Sequence, residues 1–251
     1  MDSFISWVGG KKLLRKRILE EFPTERKFKR YVEVFGGAGW VLFSRDRHAE
    51  IEVYNDRNGE LVNLFRCVKY HPEALQKELE WVLTSREIFE FYKRAEAAGL
   101  TDIQRAARFF VLIKESYGSK MGTFLSGPKD MGKAVEYLSC ISKRLRMTVL
   151  ENQDYSKIIS RYDSAETLFY LDPPYFNAER QYQEKFAKQD HEQLYSLLNR
   201  IKGMFLLSYN DCEEIRKLYS GYKILPVDRS NNLNCCYEAG SRYAELIIKN
   251  Y

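Results

Sequence analysis

Histidine is scarce in this chain. There are three in 251 residues (His48, His71 and His191), far apart in sequence, and no metal-ligand cluster is visible, so no metal is expected. Five cysteines (Cys67, Cys140, Cys212, Cys235 and Cys236) form no C-x-x-C pair. An odd, scattered set reads as reduced thiols of a cytosolic protein. There is no apolar run of 18 residues, which excludes a membrane-spanning helix. The opening Met1-Asp2-Ser3-Phe4 has neither the basic nor the apolar region of a secretory signal, so a cytoplasmic location is expected. Low-complexity linkers and internal repeats are also missing.

What remains is 45% apolar residues and a net charge of +5, enough for one large domain or a core domain with an insertion. Lys11 to Glu21 reads as a basic helix, with five basic residues among its first seven. Tyr31 to Val34 reads as a strand entering a glycine turn, and Ile51 to Tyr54 as a second strand followed by a helix to about Lys69. From Asn63 to Arg146 the periodicity is helical. One helix is expected around Trp81, Val82 and Leu83, another through Ile88, Phe91, Tyr92 and Ala95, and a third from Ile103 to about Tyr117. The glycines and proline of 118–129 argue for a loop or hairpin. Strands return at Met147 to Glu151, Leu168 to Leu171, Met204 to Leu207, Tyr222 to Val227 and Tyr243 to Lys249.

These alternations predict an α/β fold with a helical insertion: residues 1–61 and 149–251 form a catalytic domain, and 62–148 the insertion. Residues 102–148 hold nine Lys or Arg against four Asp or Glu, whereas 149–251 hold 13 against 15. A polyanion would therefore meet the insertion first, although a solvated helical face has the same composition.

Four constellations bear on chemistry. Phe35-Gly36-Gly37-Ala38-Gly39 follows a strand, and glycines there permit a tight turn and close approach of a ligand to the backbone. It lacks the spacing of a dinucleotide fingerprint, and no Gly-Lys-Ser/Thr follows to make a phosphate loop. Asp56, about 20 residues on, is placed either to accept ribose hydroxyls or to cap the next helix. Asp154 and Tyr155 follow another strand and could read and cover an adenine ring, or Asp154 could cap a helix. The fourth, Asp172-Pro173-Pro174-Tyr175, follows the apolar run Leu168 to Leu171. Two prolines end the strand and stiffen the turn, leaving the Pro173 carbonyl as an acceptor beside the carboxylate. Together they could take both hydrogens of an exocyclic amine and turn its lone pair toward a methyl donor, with Tyr175 as a stacking surface.

With these motifs in this order, the chain resembles the Dam-type DNA adenine-N6 methyltransferases over most of its length outside the insertion. Phe4 to Lys11 looks like the family's W-x-G-G-K segment, Val32 to Gly39 like its E-P-F-x-G-x-G turn with Val34 in place of proline, and Tyr54 to Asn63 like its N-D-x-N-x-x-L-I-N stretch. Glu151 to Tyr155 resembles its acid-plus-aromatic adenine site, Leu171 to Tyr175 its D-P-P-Y motif, and Ser208 to Asp211 and Ser241 to Ile248 its later segments.

The resemblance implies a Rossmann-like sheet binding S-adenosylmethionine, with S-adenosylhomocysteine as product and an inserted target-recognition domain. Trp7 and Lys11 would line the donor pocket, with Lys11 available to the methionine carboxylate. Phe35, Gly36, Gly37 and Gly39 would hold the methionine part, Asp56 the ribose, and Asp154 with Tyr155 the adenine. Asp172, Pro173, Pro174 and Tyr175 would hold an adenine flipped out of double-stranded DNA. Glu33 and Tyr209 are weaker candidates, equally readable as structural. Lys120 and Lys129 flank the glycine-rich segment as expected DNA contacts. That segment matches the family's recognition hairpin only in part, which leaves the target sequence open. A nucleoid-associated monomer is expected, and a cognate restriction endonuclease is a partner the resemblance admits. The rivals are methylation of RNA adenine or of cytosine N4, and a catalytically silent DNA-binding relative. The leading Asp of the D-P-P-Y motif favours adenine over cytosine.

Overall fold

The computed structural model describes residues 1–24, 28–125, 127, 130–176, 186–230 and 242–251. Lys129, Cys235, Cys236 and Ser241 lie outside the described residues. Among the described residues, seven strands form one sheet: β1 (Arg30–Glu33), β2 (Ile51–Asn55), β3 (Thr148–Glu151), β4 (Thr167–Leu171), β5 (Met204–Asn210), β6 (Lys223–Ser230) and β7 (Arg242–Lys249). Their spatial order is β3-β2-β1-β4-β5-β7-β6. The first five run parallel, and β7 enters antiparallel between β5 and β6.

A parallel sheet is covered on both faces, so its central strands need apolar residues at every position. β4, Thr-Leu-Phe-Tyr-Leu, is apolar at four of its five positions and buried throughout. Because side chains alternate across a strand, Leu168 and Tyr170 enter one core while Phe169 and Leu171 enter the other. The second core is closed by α8 (Tyr155–Tyr162), α9 (Lys188–Leu198) and α10 (Glu213–Leu218). The first is closed by α1 (Arg15–Glu20) and by the segment between β2 and β3. That segment carries α2 (Gly59–Tyr70), α3 (Pro72–Glu80), α4 (Arg86–Arg94), α5 (Asp102–Glu115), α6 (Met131–Glu136) and α7 (Leu138–Leu145). Its buried residues are continuous with the sheet: the Tyr54 ring stacks on Phe65 of α2 at 4.2 Å, and Leu61, Phe65, Phe110 and Leu138 share one cluster with Phe4 and Tyr31.

Local chemistry fixes the helix starts. Asn58 caps α2 by accepting from the Leu61 N–H, and Ser85 caps α4 through Ile88. At α5, Thr101 and Gln104 satisfy each other's backbone N–H groups in a capping box.

Two expected helices differ from the structure. The first begins at Arg15, not Lys11; residues 11–14 form turns, which directs Lys11 into the protein at 3% exposure. Trp81, Val82 and Leu83 do not occupy a helix: α3 ends at Glu80, and Trp81 and Leu83 are 79% and 71% exposed. Val82 alone of the three packs against the core.

Candidate active site

In an open α/β sheet, ligands bind outside the carboxyl ends of the strands, where the strand order reverses. Here that point is the β1–β4 junction. A cleft of about 380 Å³ opens there, walled by Trp7, the Phe35–Gly39 turn, Asp56, Tyr155 and Asp172 among others.

One buried side chain ties the strand ends together. Asn55 donates to the Val34 and Gln153 carbonyls and accepts from the Gln153 N–H, so the ends of β1, β2 and β3 meet on a single amide. The Asn55 carbonyl also accepts from the Gly36 N–H. The glycine turn is thereby drawn against Tyr54, whose hydroxyl donates to the Gly37 carbonyl at 2.6 Å. A methyl group at Gly36 would overlap the Tyr54 ring. Gly37, at φ +49°, takes a left-handed conformation beneath the Trp7 indole. Only glycine meets both requirements.

Asp56 stands beside this turn: one carboxylate oxygen accepts from the Gly37 N–H at 2.8 Å and the other from Asn58 N–H at 2.8 Å. Helix capping falls to Asn58, so the alternative reading of Asp56 as the α2 cap is not what is seen. Asp154, by contrast, does cap. Its carboxylate accepts from the Ser156 N–H and hydroxyl, and the cleft wall at that level is formed by Gln153 and Tyr155 instead. The Tyr155 ring stacks on Phe35 at 5.7 Å, and Phe186 packs edge-on against Phe35.

At the lip lies the D-P-P-Y segment. Asp172 Oδ1 accepts from Lys11 Nζ at 2.7 Å and from the Ser208 hydroxyl at 2.9 Å. Lys11 Nζ also donates to the Gly9 carbonyl and lies 4.8 Å from the centre of the Tyr175 ring. The Tyr175 hydroxyl donates to Glu245 Oε2 at 2.6 Å, and that carboxylate lies 3.9 Å from Lys11 Nζ. Pro173 is buried beneath, Pro174 lines the cleft, and Asn210 holds the Phe176 backbone through both its amide atoms. Burial raises the Asp172 pKa above the usual carboxylate value, with Lys11 working in the opposite direction. Glu33, buried below, is pushed up to about 8 by desolvation, though Tyr31 donates to it at 2.7 Å.

The structure therefore brings together Trp7, Lys11, the glycine turn, Asp56, Tyr155, Asp172, Pro174 and Lys120 around one cleft. Lys11 lines the cleft from a buried position, paired with Asp172. Sequence reasoning gave no role to Ser208 or Glu245, although both lie in segments compared with the family. Their contacts span 36 and 70 residues, which no local pattern reports.

The cleft suits an adenosyl-methionine donor. It has aromatic walls for a purine, an acid beside the turn, and glycines at which added methyl groups would strike the walls. Strand order and cleft together define a Rossmann-like methyltransferase. The sequence pattern of the D12 class N6 adenine-specific DNA methyltransferases matches residues 7–233, and the chain belongs to that family. It is 28% identical to the Type II methyltransferase M.MjaIII of Methanocaldococcus jannaschii, over 99% of this chain and 98% of that one. It is 24% identical to the Type II methyltransferase M1.LlaDCHI of Lactococcus lactis, over 99% and 95%. With the DNA adenine methylase of Haemophilus influenzae it shares 22% identity over 97% and 92%. The family implies S-adenosylmethionine as donor and DNA as substrate.

Proposed function

We propose that the protein methylates N6 of a specific adenine that has left the stack of duplex DNA, and that Asp172 holds the reacting amine. The observation that carries this is the Asp172 carboxylate, fixed at the cleft lip through one oxygen by Lys11 and Ser208. Its other oxygen and the Pro173 carbonyl are the acceptors for the two amine hydrogens. Accepting both draws the lone pair out of conjugation with the ring. S-adenosylmethionine supplies an electrophilic methyl carbon when bound. Trp7, the Phe35–Gly39 turn, Asp56 and Tyr155 would hold it, with Asp154 acting through the position of Tyr155. Tyr175 stacks on the extruded base while its hydroxyl stays on Glu245. A carboxylate whose proton affinity is raised by burial is also the nearest acceptor for the proton that the amine sheds. Alignment and fixed hydrogen-bond partners supply the rate.

Site choice and DNA affinity fall, in this reading, to residues 62–148, whose basic excess predicts binding that weakens with salt. The Type II names of two relatives support a cognate restriction endonuclease as a functional partner.

The test is methyl transfer to mixed-sequence duplex DNA and to single-stranded RNA, with nucleoside analysis of the products. N6-methyladenine from duplex DNA is expected. Label in RNA alone, or in N4-methylcytosine, would overturn the proposal.

A further inference from the structure

A donor with an amino-acid tail brings a carboxylate into the cleft, and a carboxylate in a half-enclosed site needs a cation. Among the described residues, three cationic side chains line the cleft: Lys11, Arg57 and Lys120. Lys11 is buried and engaged with Asp172 and the Gly9 carbonyl. Arg57 follows β2 beyond Asp56, and its guanidinium faces Asp154 at 3.8 Å, on the β2–β3 side of the cleft. Lys120 comes from the sequence between β2 and β3, in the segment after α5 that returns to pair Ser116 with Phe124. It is exposed, unlike Lys11, and reaches the same cleft as Trp7 and the glycine turn.

The backbone around Lys120 is held in a costly shape. Gly118 has φ 60°, and Ser119 and Met121, which flank Lys120, have φ 58° and 56°. Left-handed geometry at non-glycine residues is unfavourable and persists where surrounding structure imposes it. Here it is imposed by the Ser116 hydroxyl, which accepts from the Met121 N–H at 3.0 Å, and by packing of the Met121 side chain against the main core. The result is that Ser119, Lys120 and Met121 all face the cleft.

We infer that Lys120 is the cation that receives the carboxylate of the donor's methionine moiety, so that the segment after α5 is also a wall of the donor site.

 

This rests on the donor-site reading proposed above. In place of a contact with DNA, Lys120 would tie cofactor occupancy to the segment that follows α5.

Calorimetric titration of the full chain, without DNA, tests this with two ligands: S-adenosylhomocysteine and its decarboxylated analogue, which keeps the amine and lacks the carboxylate. The wild type is expected to prefer the carboxylate form. Lys120→Ala should weaken S-adenosylhomocysteine by about tenfold, the worth of a charge-assisted hydrogen bond, while binding of the decarboxylated analogue changes by less than about twofold. Lys120→Arg should restore most of the preference. Equal loss for both ligands, or no loss for either, overturns the inference, and weakened DNA binding with cofactor affinity intact would return Lys120 to the DNA surface. If the wild type binds neither ligand, the donor-site reading itself fails, and this inference falls with it.

Discussion

Replacing Asp172 by asparagine separates the charge of this residue from its shape. The amide oxygen can still accept from Lys11 and Ser208, which now meet Oδ1 at 2.7 and 2.9 Å, so the lip should keep its geometry. What is lost is the negative charge facing the amine as it becomes positive and, because the amide NH2 then takes the place of the second carboxylate oxygen, the acceptor for one amine hydrogen. A hydrogen bond to a charged group contributes about 1.5–3 kcal/mol, so single-turnover methylation of duplex DNA should slow by roughly ten- to a hundredfold. Asp172→Ala should do more, because it also removes the group that Lys11 and Ser208 hold in place, and should cost at least about 3 kcal/mol in the rate. It also strands a buried Lys11, whose remaining carboxylate neighbour, Glu245, is 3.9 Å away. Breaking a buried pair costs about 3–5 kcal/mol, and the Gly9 carbonyl and Glu245 should hold the loss near the lower end. Affinity for S-adenosylhomocysteine should stay within about twofold for the asparagine variant, because the carboxylate serves the target base. Rapid-quench kinetics and calorimetry on the same preparation measure both. A wild-type rate in Asp172→Asn, or a cofactor affinity that falls in step with the rate, would refute the assignment.

Three further outcomes are expected. Glu33 holds its proton to about pH 8 in the folded protein against an ordinary value of 4.5, so folding takes up a proton between those limits and stability falls as pH rises through them. Glu33→Gln should remove that dependence, worth up to about 1.4 kcal/mol per pH unit in denaturant unfolding; a pH-independent difference between the two proteins would argue against it. Gly36→Ala forces a methyl group into the buried Tyr54 ring and should cost about 1–3 kcal/mol of stability together with cofactor binding, and normal melting and titration would show that the turn yields. Tyr175→Phe keeps the ring and loses the hydroxyl's bond to Glu245, whereas Tyr175→Ala should lose about 1–3 kcal/mol of stacking on the extruded base; equal methylation rates in the two variants would remove Tyr175 from base binding.

The sequence made the glycine turn, Asp56 and the D-P-P-Y lip legible because each uses a residue whose backbone or side chain permits few alternatives. Strand positions were also readable, since β4 is apolar at four of five positions and the parallel sheet leaves no polar face. The pairing of Lys11 with Asp172 was not readable. It joins residues far apart in sequence, and the run of basic residues leading into α1 reads as a solvated surface. The helix expected around Trp81 and Leu83 is absent for a different reason: α3 ends at Glu80, and both side chains stand in solvent where no packing holds a further turn. Asp154 was open between two roles, and the hydrogen bonds to Ser156 show the capping one.

The stacking of Tyr54 on Phe65 has a consequence for exchanging parts between relatives. Tyr54 sits at the end of β2 and backs the glycine turn, while Phe65 belongs to the first helix of the segment between β2 and β3. A seam cut at residue 62 would therefore split a buried aromatic pair and leave Gly36 with a different wall behind it. A chimera designed to change the DNA target must let α2 travel with the host sheet, and residues 119–121 of the exchanged part, which line the cleft, must suit the host's donor site.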